Sequence, residues 1–476
     1  MSLRSRRVRR TRLGAPALAA ALLSVSSACT AAEEPSSPPS TPAPTSPSAS
    51  SSSAGPVVLT FAVYGGRPEI AAYRAVAKAY TRASPNVTVR VEATGDAAAA
   101  GARLDRQFVA GTAPDVFETD STTLPKLVAQ GQVQPVDELL EQRGVEFGDN
   151  YERLGLETFA ADSALQCMPS DVSPHVVFYN RRLLVPTLID ESIEEIPTPE
   201  TGWTWEQFVE SAREMSTRGV KGLYLAPQLT TLTPLVRSAG GDIVDDPKAP
   251  TTLQLSDGPT RTALEQVLEI ARNNRVTPTP SQLATQDAVT RFERGRLGMM
   301  IGTRALVPRL RSTPGLRFDV FPLPSLGRMQ TIADVRGFCI SRDSPHIAEA
   351  GDFLAFASSD EGAALTARSG GVVPANLTAL HSESFEQPGQ FPLNVGVFTD
   401  VMRRADTMPN PPEWPAVVRQ TRPLLSRMFY APVLDLDTLL PRIDALSASL
   451  LAEPTPSPSP SESPTESPSE SPSESP

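Results

Sequence analysis

Few side chains in this 476-residue chain could do covalent or metal chemistry. The three histidines, His175, His346 and His381, stand far apart, and none has ligand spacing to a cysteine, so no metal site is expected. No Gly-x-Ser-x-Gly, His-Glu-x-x-His, phosphate-binding P-loop or Gly-x-Gly-x-x-Gly element occurs. Cys167 and His175 are eight residues apart, and neither has an obvious partner for nucleophilic catalysis. A carboxylate pair for glycoside hydrolysis stays open, because such partners are remote in sequence. The expectation is a chain that is not an enzyme and needs no cofactor.

Those groups must be carried by an exported body. Six arginines lie between Arg4 and Arg12, an apolar run spans Leu13 to Val25, and the small residues Ser26, Ser27 and Ala28 precede Cys29. This pattern predicts a secretory signal over 1–28, too short to span a bilayer as a helix. A cysteine just after such a site resembles the lipobox of bacterial lipoproteins, with Ser26 where that motif usually carries Leu. The resemblance implies acylation of Cys29, a palmitate-type lipid tether, and location outside the cytoplasm on the cell membrane. Residues 29–55 are almost wholly Ala, Ser, Pro, Thr and Glu, a composition predicted to form a disordered, semi-rigid linker. Residues 453–476 repeat Ser-Glu-Ser-Pro and read as a second disordered segment.

Removing the six arginines of the signal, which holds no other charge, takes the formal charge from −11 to −17. So acidic a chain argues against a nucleic-acid partner held by a basic surface. With Cys29 acylated, Cys167 and Cys339 remain, and an even pair in an exported body reads as a disulfide. Two buried free thiols are the other reading.

The body alternates strand and helix. Val57 to Val63 is β-branched and apolar and closes on Gly65-Gly66. Glu69 to Arg82 carries a helical stripe of Ile70, Tyr73, Val76, Ala77 and Tyr80. Val87 to Val91 predicts a second strand, Leu104 to Ala110 a helix, and Ala113 to Phe117 a third strand. That order implies an α/β fold with a mostly parallel sheet flanked by helices.

Several segments then resemble, in order, the sugar-binding (maltose-binding-protein-like, family 1) group of bacterial extracellular solute-binding proteins of ABC importers. They are Gly111-Thr112-Ala113-Pro114-Asp115-Val116, the Leu127 to Val136 helix-turn, Val176 to Leu184 with its Tyr179-Asn180, and Thr204-Trp205-Glu206-Gln207-Phe208. Gly240-Gly241-Asp242, Phe292 to Met300, Ser344 to Gly362 and Gly371 to Ala375 continue the series. The resemblance implies a two-lobed, periplasmic-binding-protein-like fold (type II) that closes on a small solute, a sugar or polyol. It implies delivery to the permease subunits of an ABC importer, by a monomer. Hinge crossings are expected near Pro169, Pro322 to Pro324, and Pro374. Lobe one is then 56–169 plus 325–374, and lobe two is 170–324 plus 375–452. Cys167 and Cys339 fall in the same lobe, near the hinge.

Sugar sites join aromatic faces to carboxylates and amides that bond hydroxyls. Tyr64 ends the first strand, where ligands collect in open α/β sheets. Asp120 follows the third strand and is similar to a ligand-bonding acid of the family; it could equally cap the helix that begins at Leu124. Asp171 and Ser173 follow the first crossing, and Gln228 is spaced from Gly240-Gly241 like a family ligand contact. Arg304 stands where the family often places an aromatic, which suggests a solute with an acidic or strongly polar group, or a salt bridge. Trp414, in a Pro-rich stretch, is the expected stacking platform, whereas Trp203 and Trp205 are expected to pack inside. The alternative functions are an exported carbohydrate-active enzyme and a sensory or structural envelope lipoprotein on the same fold.

Overall fold

The computed structural model describes residues 55–188 and 202–452. The signal, Cys29, the linker to residue 54 and the segment 453–476 lie outside the described residues. In chain order the first strands are β1 (Val57–Tyr64), β2 (Val87–Thr94), β3 (Val116–Asp120), β4 (Val133–Gln134), β5 (Ala160–Ala161) and β6 (Ala164–Leu165). They are followed by β7 (Met168–Pro174), β8 (Val176–Asn180), β9 (Lys221–Tyr224), β10 (Leu297–Gly302), β11 (Phe318–Phe321), β12 (Thr331–Ser341) and β13 (Ala405–Asp406).

Period-2 alternation sets β1, which turns Leu59, Phe61 and Val63 inward. The expected stripe from Ile70 to Tyr80 is the buried face of the helix Arg67–Ala83. The helix expected from Leu104 starts at Ala97, because Asp96 caps it by accepting a bond from Ala99 N at 2.8 Å. The third strand starts at Val116 rather than Ala113. Asp115 Oδ2 instead accepts from Thr60 N and Oγ1, both at 2.7 Å, and pins the entry to β3 sideways onto β1.

Two main sheets result. The first runs β13-β12-β3-β1-β2, with β4 and β7 also paired to β12. Within it β1 is parallel to β2 and β3, while β12 is antiparallel to β3, β4 and β7. The second runs β11-β8-β10-β9. Helices flank both, giving a two-lobed α/β fold. The lobe-one core centres on Phe61, in edge contact with Phe353, Phe338 and Tyr73 at 5.1, 5.2 and 5.9 Å. Alternate residues of β8 serve opposite faces of the second sheet: Val177 and Tyr179 enter one core, Val176 and Phe178 another. Trp203 and Trp205 are buried as expected, Trp203 stacking on Phe321 at 5.0 Å.

The chain passes from the first sheet to the second at His175, beyond the expected Pro169, because β7 keeps its pairing to β12 as far as Pro174 with Ala333. It returns between Phe321 and Thr331. Near Pro374, which bridges to Asp171, a third segment lies against β7. Cys167 and Cys339 form a disulfide within this region, both fully buried and 172 residues apart in sequence. So long a closed loop restricts the unfolded chain strongly. Cys167→Ala/Cys339→Ala is expected to lower the unfolding free energy in urea by about 2–4 kcal/mol. An unchanged midpoint would show that the bridge adds nothing.

Candidate functional site

A cleft of about 760 Å³ opens between the two sheets, at the ends of β1 and β3 and beside the crossing strands β7 and β12. On the lobe-one wall the turn after β1 is fixed by Gly65, whose φ of +140° suits glycine. A Cβ at this position would lie 2.1 Å from Glu69 Oε2. The missing side chain lets Glu69, in the first turn of its helix, fold its carboxylate back under the turn and into the wall.

Arg336 is the hub of that wall. Its Nη2 lies 2.6 Å from Glu69 Oε1 and 2.7 Å from Asp171 Oδ2. Nε donates to the same Asp171 oxygen at 3.0 Å, and Nη1 is 3.3 Å from Glu118 Oε1. The Tyr64 ring covers the guanidinium at 5.6 Å. A bulge makes this arrangement possible: Arg336 pairs Asp171 but Gly337 pairs Pro169, so Ser170 is an extra residue on β7. Asp171 Oδ1 also accepts from Ser173 Oγ at 2.7 Å and Val373 N at 2.8 Å, which joins the segments that cross between the lobes.

The titration behaviour follows from this crowding. Burial pushes the Glu118 carboxyl up to about 7, with the Glu69 charge adding to the rise and Arg336 opposing it. Burial likewise raises Glu69. Burial alone would lower Arg336, but Glu118, Glu69 and Asp171 outweigh it and hold the guanidinium well above its usual range.

The opposite wall has another character. Gln228 is exposed at the start of the helix Leu229–Ser238, and its side chain makes no capping bond. The helix Trp414–Tyr430 presents Pro415, Val418, Arg419 and Arg422 to the cleft, a spacing that places them on one face. Arg419 and Arg422 are both exposed. Carboxylates and one buried guanidinium thus face two solvated arginines across the opening.

Six of the seven expected residues line the cleft: Tyr64, Asp120, Asp171, Ser173, Gln228 and Trp414. Asp120 is not the cap of the next helix, whose N-cap is Thr123, but it holds the turn before it. Its Oδ1 accepts from the N–H groups of Thr122 and Thr123 at 3.0 and 2.9 Å, closing the turn before the helix Leu124–Ala129, while the residue borders the cleft. Arg304 is elsewhere. Its guanidinium is fully buried, stacks on Phe385 at 3.9 Å and donates to Phe385 O at 2.5 Å, and burial lowers its pKa to about 9. Among the described residues Arg304 forms no salt bridge; the aromatic rings of Phe385 and Phe398 take the cation instead. Trp414 is only 1 % exposed, because the Pro-rich stretch ends in the helix that Trp414 begins, and its ring belongs to the lobe-two core. Glu69, Glu118 and Arg336 were missed. The available signal was the charge placed inside otherwise apolar strands, at Glu118 and at Asp334-Val335-Arg336.

Residues 64–364 match the family model of the bacterial extracellular solute-binding proteins, and the chain belongs to that family. It is a family of extracytoplasmic binding proteins, not of enzymes. No curated protein sequence matches the chain. Among solved structures, it is similar to an ABC substrate-binding protein of Listeria monocytogenes in complex with cycloalternan. That similarity has a TM-score of 0.72 at 18% identity and covers 83% of this chain and 98% of the other. The GacH receptor of Streptomyces glaucescens, solved unliganded and with acarbose, gives 0.70 at 18% identity over 83% and 98%. The sugar-binding protein MalE of Xanthomonas citri gives 0.70 at 18% identity over the same shares. At such identities the likeness shows the fold alone. Among the described residues, no helix is long and apolar enough to cross a membrane.

Proposed function

We propose that this protein is a lipoprotein, tethered outside the cell through Cys29, that captures a small polar solute by closing its lobes and delivers it to the permease subunits of an ABC importer. The solute class is a sugar or polyol. The observation that carries this reading is the cleft between the sheets, where carboxylates, an amide, hydroxyls and arginines converge without an activated nucleophile. The cycloalternan and acarbose bound by proteins of the same fold support the solute class. Lobe one takes the chain from about residue 56 to Pro174 and from Thr331 to about Pro374; lobe two takes most of the remainder to residue 452. The protein acts as a monomer, with Tyr64, Asp120, Asp171, Ser173 and Gln228 as solute contacts.

The test is a thermal-shift screen of the mature chain against sugars and polyols. A solute bound only to the folded state at a hundred times its Kd adds about 2.7 kcal/mol of stability. A panel without any shift would contradict the solute class. Gln228→Ala then isolates one contact, because the exposed side chain has no structural bond to lose. It is expected to weaken a hit by roughly 3- to 10-fold, about one net hydrogen bond, with solute-free stability within about 0.5 kcal/mol of native. Calorimetric titration measures the first and melting the second. Unchanged affinity would remove Gln228 from the site.

A further inference from the structure

Three carboxylates surround one buried guanidinium beside the cleft. Arg336 touches Glu69 at 2.6 Å, Asp171 at 2.7 Å and Glu118 at 3.3 Å, and their side chains are 8, 4 and 0 % exposed. The charges facing this group from neighbouring elements are of both signs: the buried Arg304 adds positive charge on the side of Asp171. Asp120 of β3 adds negative charge near Tyr64, and Asp334 of β12 lies 3.1 Å from His175 at the cleft. On the outer side Glu92 of β2 is paired with Arg90 and Arg103. Tyr73 donates to Glu118 Oε1 at 2.6 Å, and Tyr64 N donates to Oε2 at 3.1 Å.

Full ionisation would leave Glu69 and Glu118 both negative beside one guanidinium that is also bonded to Asp171, an excess of negative charge in a buried space that one proton relieves. Asp171 has the most donors of the three: two Arg336 nitrogens, Ser173 Oγ and Val373 N all donate to it. We propose that Arg336 is a positioning residue, holding Asp171 to the cleft, and that Glu69 and Glu118 behind it share one proton at neutral pH. Loss of that proton strengthens the inward pull on the guanidinium and loosens Asp171. Only the part concerning the solute wall rests on the function proposed above; the proton can be tested without solute.

Infrared difference spectra of the solute-free chain between about pH 6 and about pH 9, above the ordinary carboxylate range, provide that test. The expected result is one protonated-carboxyl band lost on raising the pH, and no such band in Glu118→Gln. In carbon-detected NMR the Asp171 carboxyl shifts with the same midpoint in the native chain, and this step vanishes in Glu118→Gln. Tyr73→Phe removes a donor to ionised Glu118 and moves the midpoint to higher pH. A native chain with no carboxyl band in this range, or a midpoint indifferent to Tyr73→Phe, overturns the shared proton. An Asp171 resonance that ignores the titration overturns the positioning role. None of these outcomes bears on whether the cleft binds a solute.

Discussion

Arg336→Met is expected to lower the stability of the chain by about 3–5 kcal/mol at pH 8, the cost of leaving buried charges without their partner. Glu118, Glu69 and Asp171 have almost no access to water, and Arg336 is the cation they share. The defect carries a pH signature. Without Arg336 the Glu118 and Glu69 carboxyls, already raised by burial, rise further above their unfolded values, so the stability they contribute is present below the unfolded pKa. It is lost as pH rises through the folded one. The variant therefore comes closest to native at about pH 5 and falls furthest behind above about pH 7. Urea denaturation across that range measures this. Adding Glu118→Gln to Arg336→Met should recover part of the loss, since the two sites interact directly. A defect below about 1 kcal/mol at pH 8 would mean that the cluster is solvated and its charges screened.

Trp414→Ala is expected to cost about 3–5 kcal/mol, the usual range for emptying a large aromatic site in a core. Trp414 is 1 % exposed and starts the helix whose Val417, Leu424 and Leu425 enter the same lobe-two core. The same helix presents Arg419 and Arg422 to the cleft, so affinity falls only as far as that wall shifts. Melting of the solute-free variant and calorimetric titration of a panel hit separate the two effects. Native stability with binding abolished would contradict the packing role and restore Trp414 as a stacking platform.

The chain exposed its local structure readily. Alternation in Val57 to Val63 and the stripe from Ile70 to Tyr80 are short-range patterns, and both elements form where those patterns lie. The expected cysteine pair is bridged; its pairing followed once Cys29 was assigned to the segment that resembles a lipobox. Tyr64, Asp171 and Ser173 lie beside the cleft because they stand at strand ends or crossings, which topology sets. The Arg336 cluster was hidden for the opposite reason. Its members sit on β3, β7, β12 and the first helix, each a single charge within its own segment, and only tertiary pairing brings them together. The surroundings of Arg304 were hidden in the same way: its side chain turns to a ring 81 residues further on. Trp414 was read from its prolines as part of a surface loop, but proline also suits the first turn of a helix, and Pro415 stands there.

Small-angle scattering of the mature chain with each member of the sugar and polyol panel tests the central claim most directly. A stabilising solute is expected also to make the molecule more compact, saturably and at one solute per chain, and to be recovered chemically unchanged. A stabilising solute that leaves the dimensions of the chain unaltered, or that is converted to product, would contradict it.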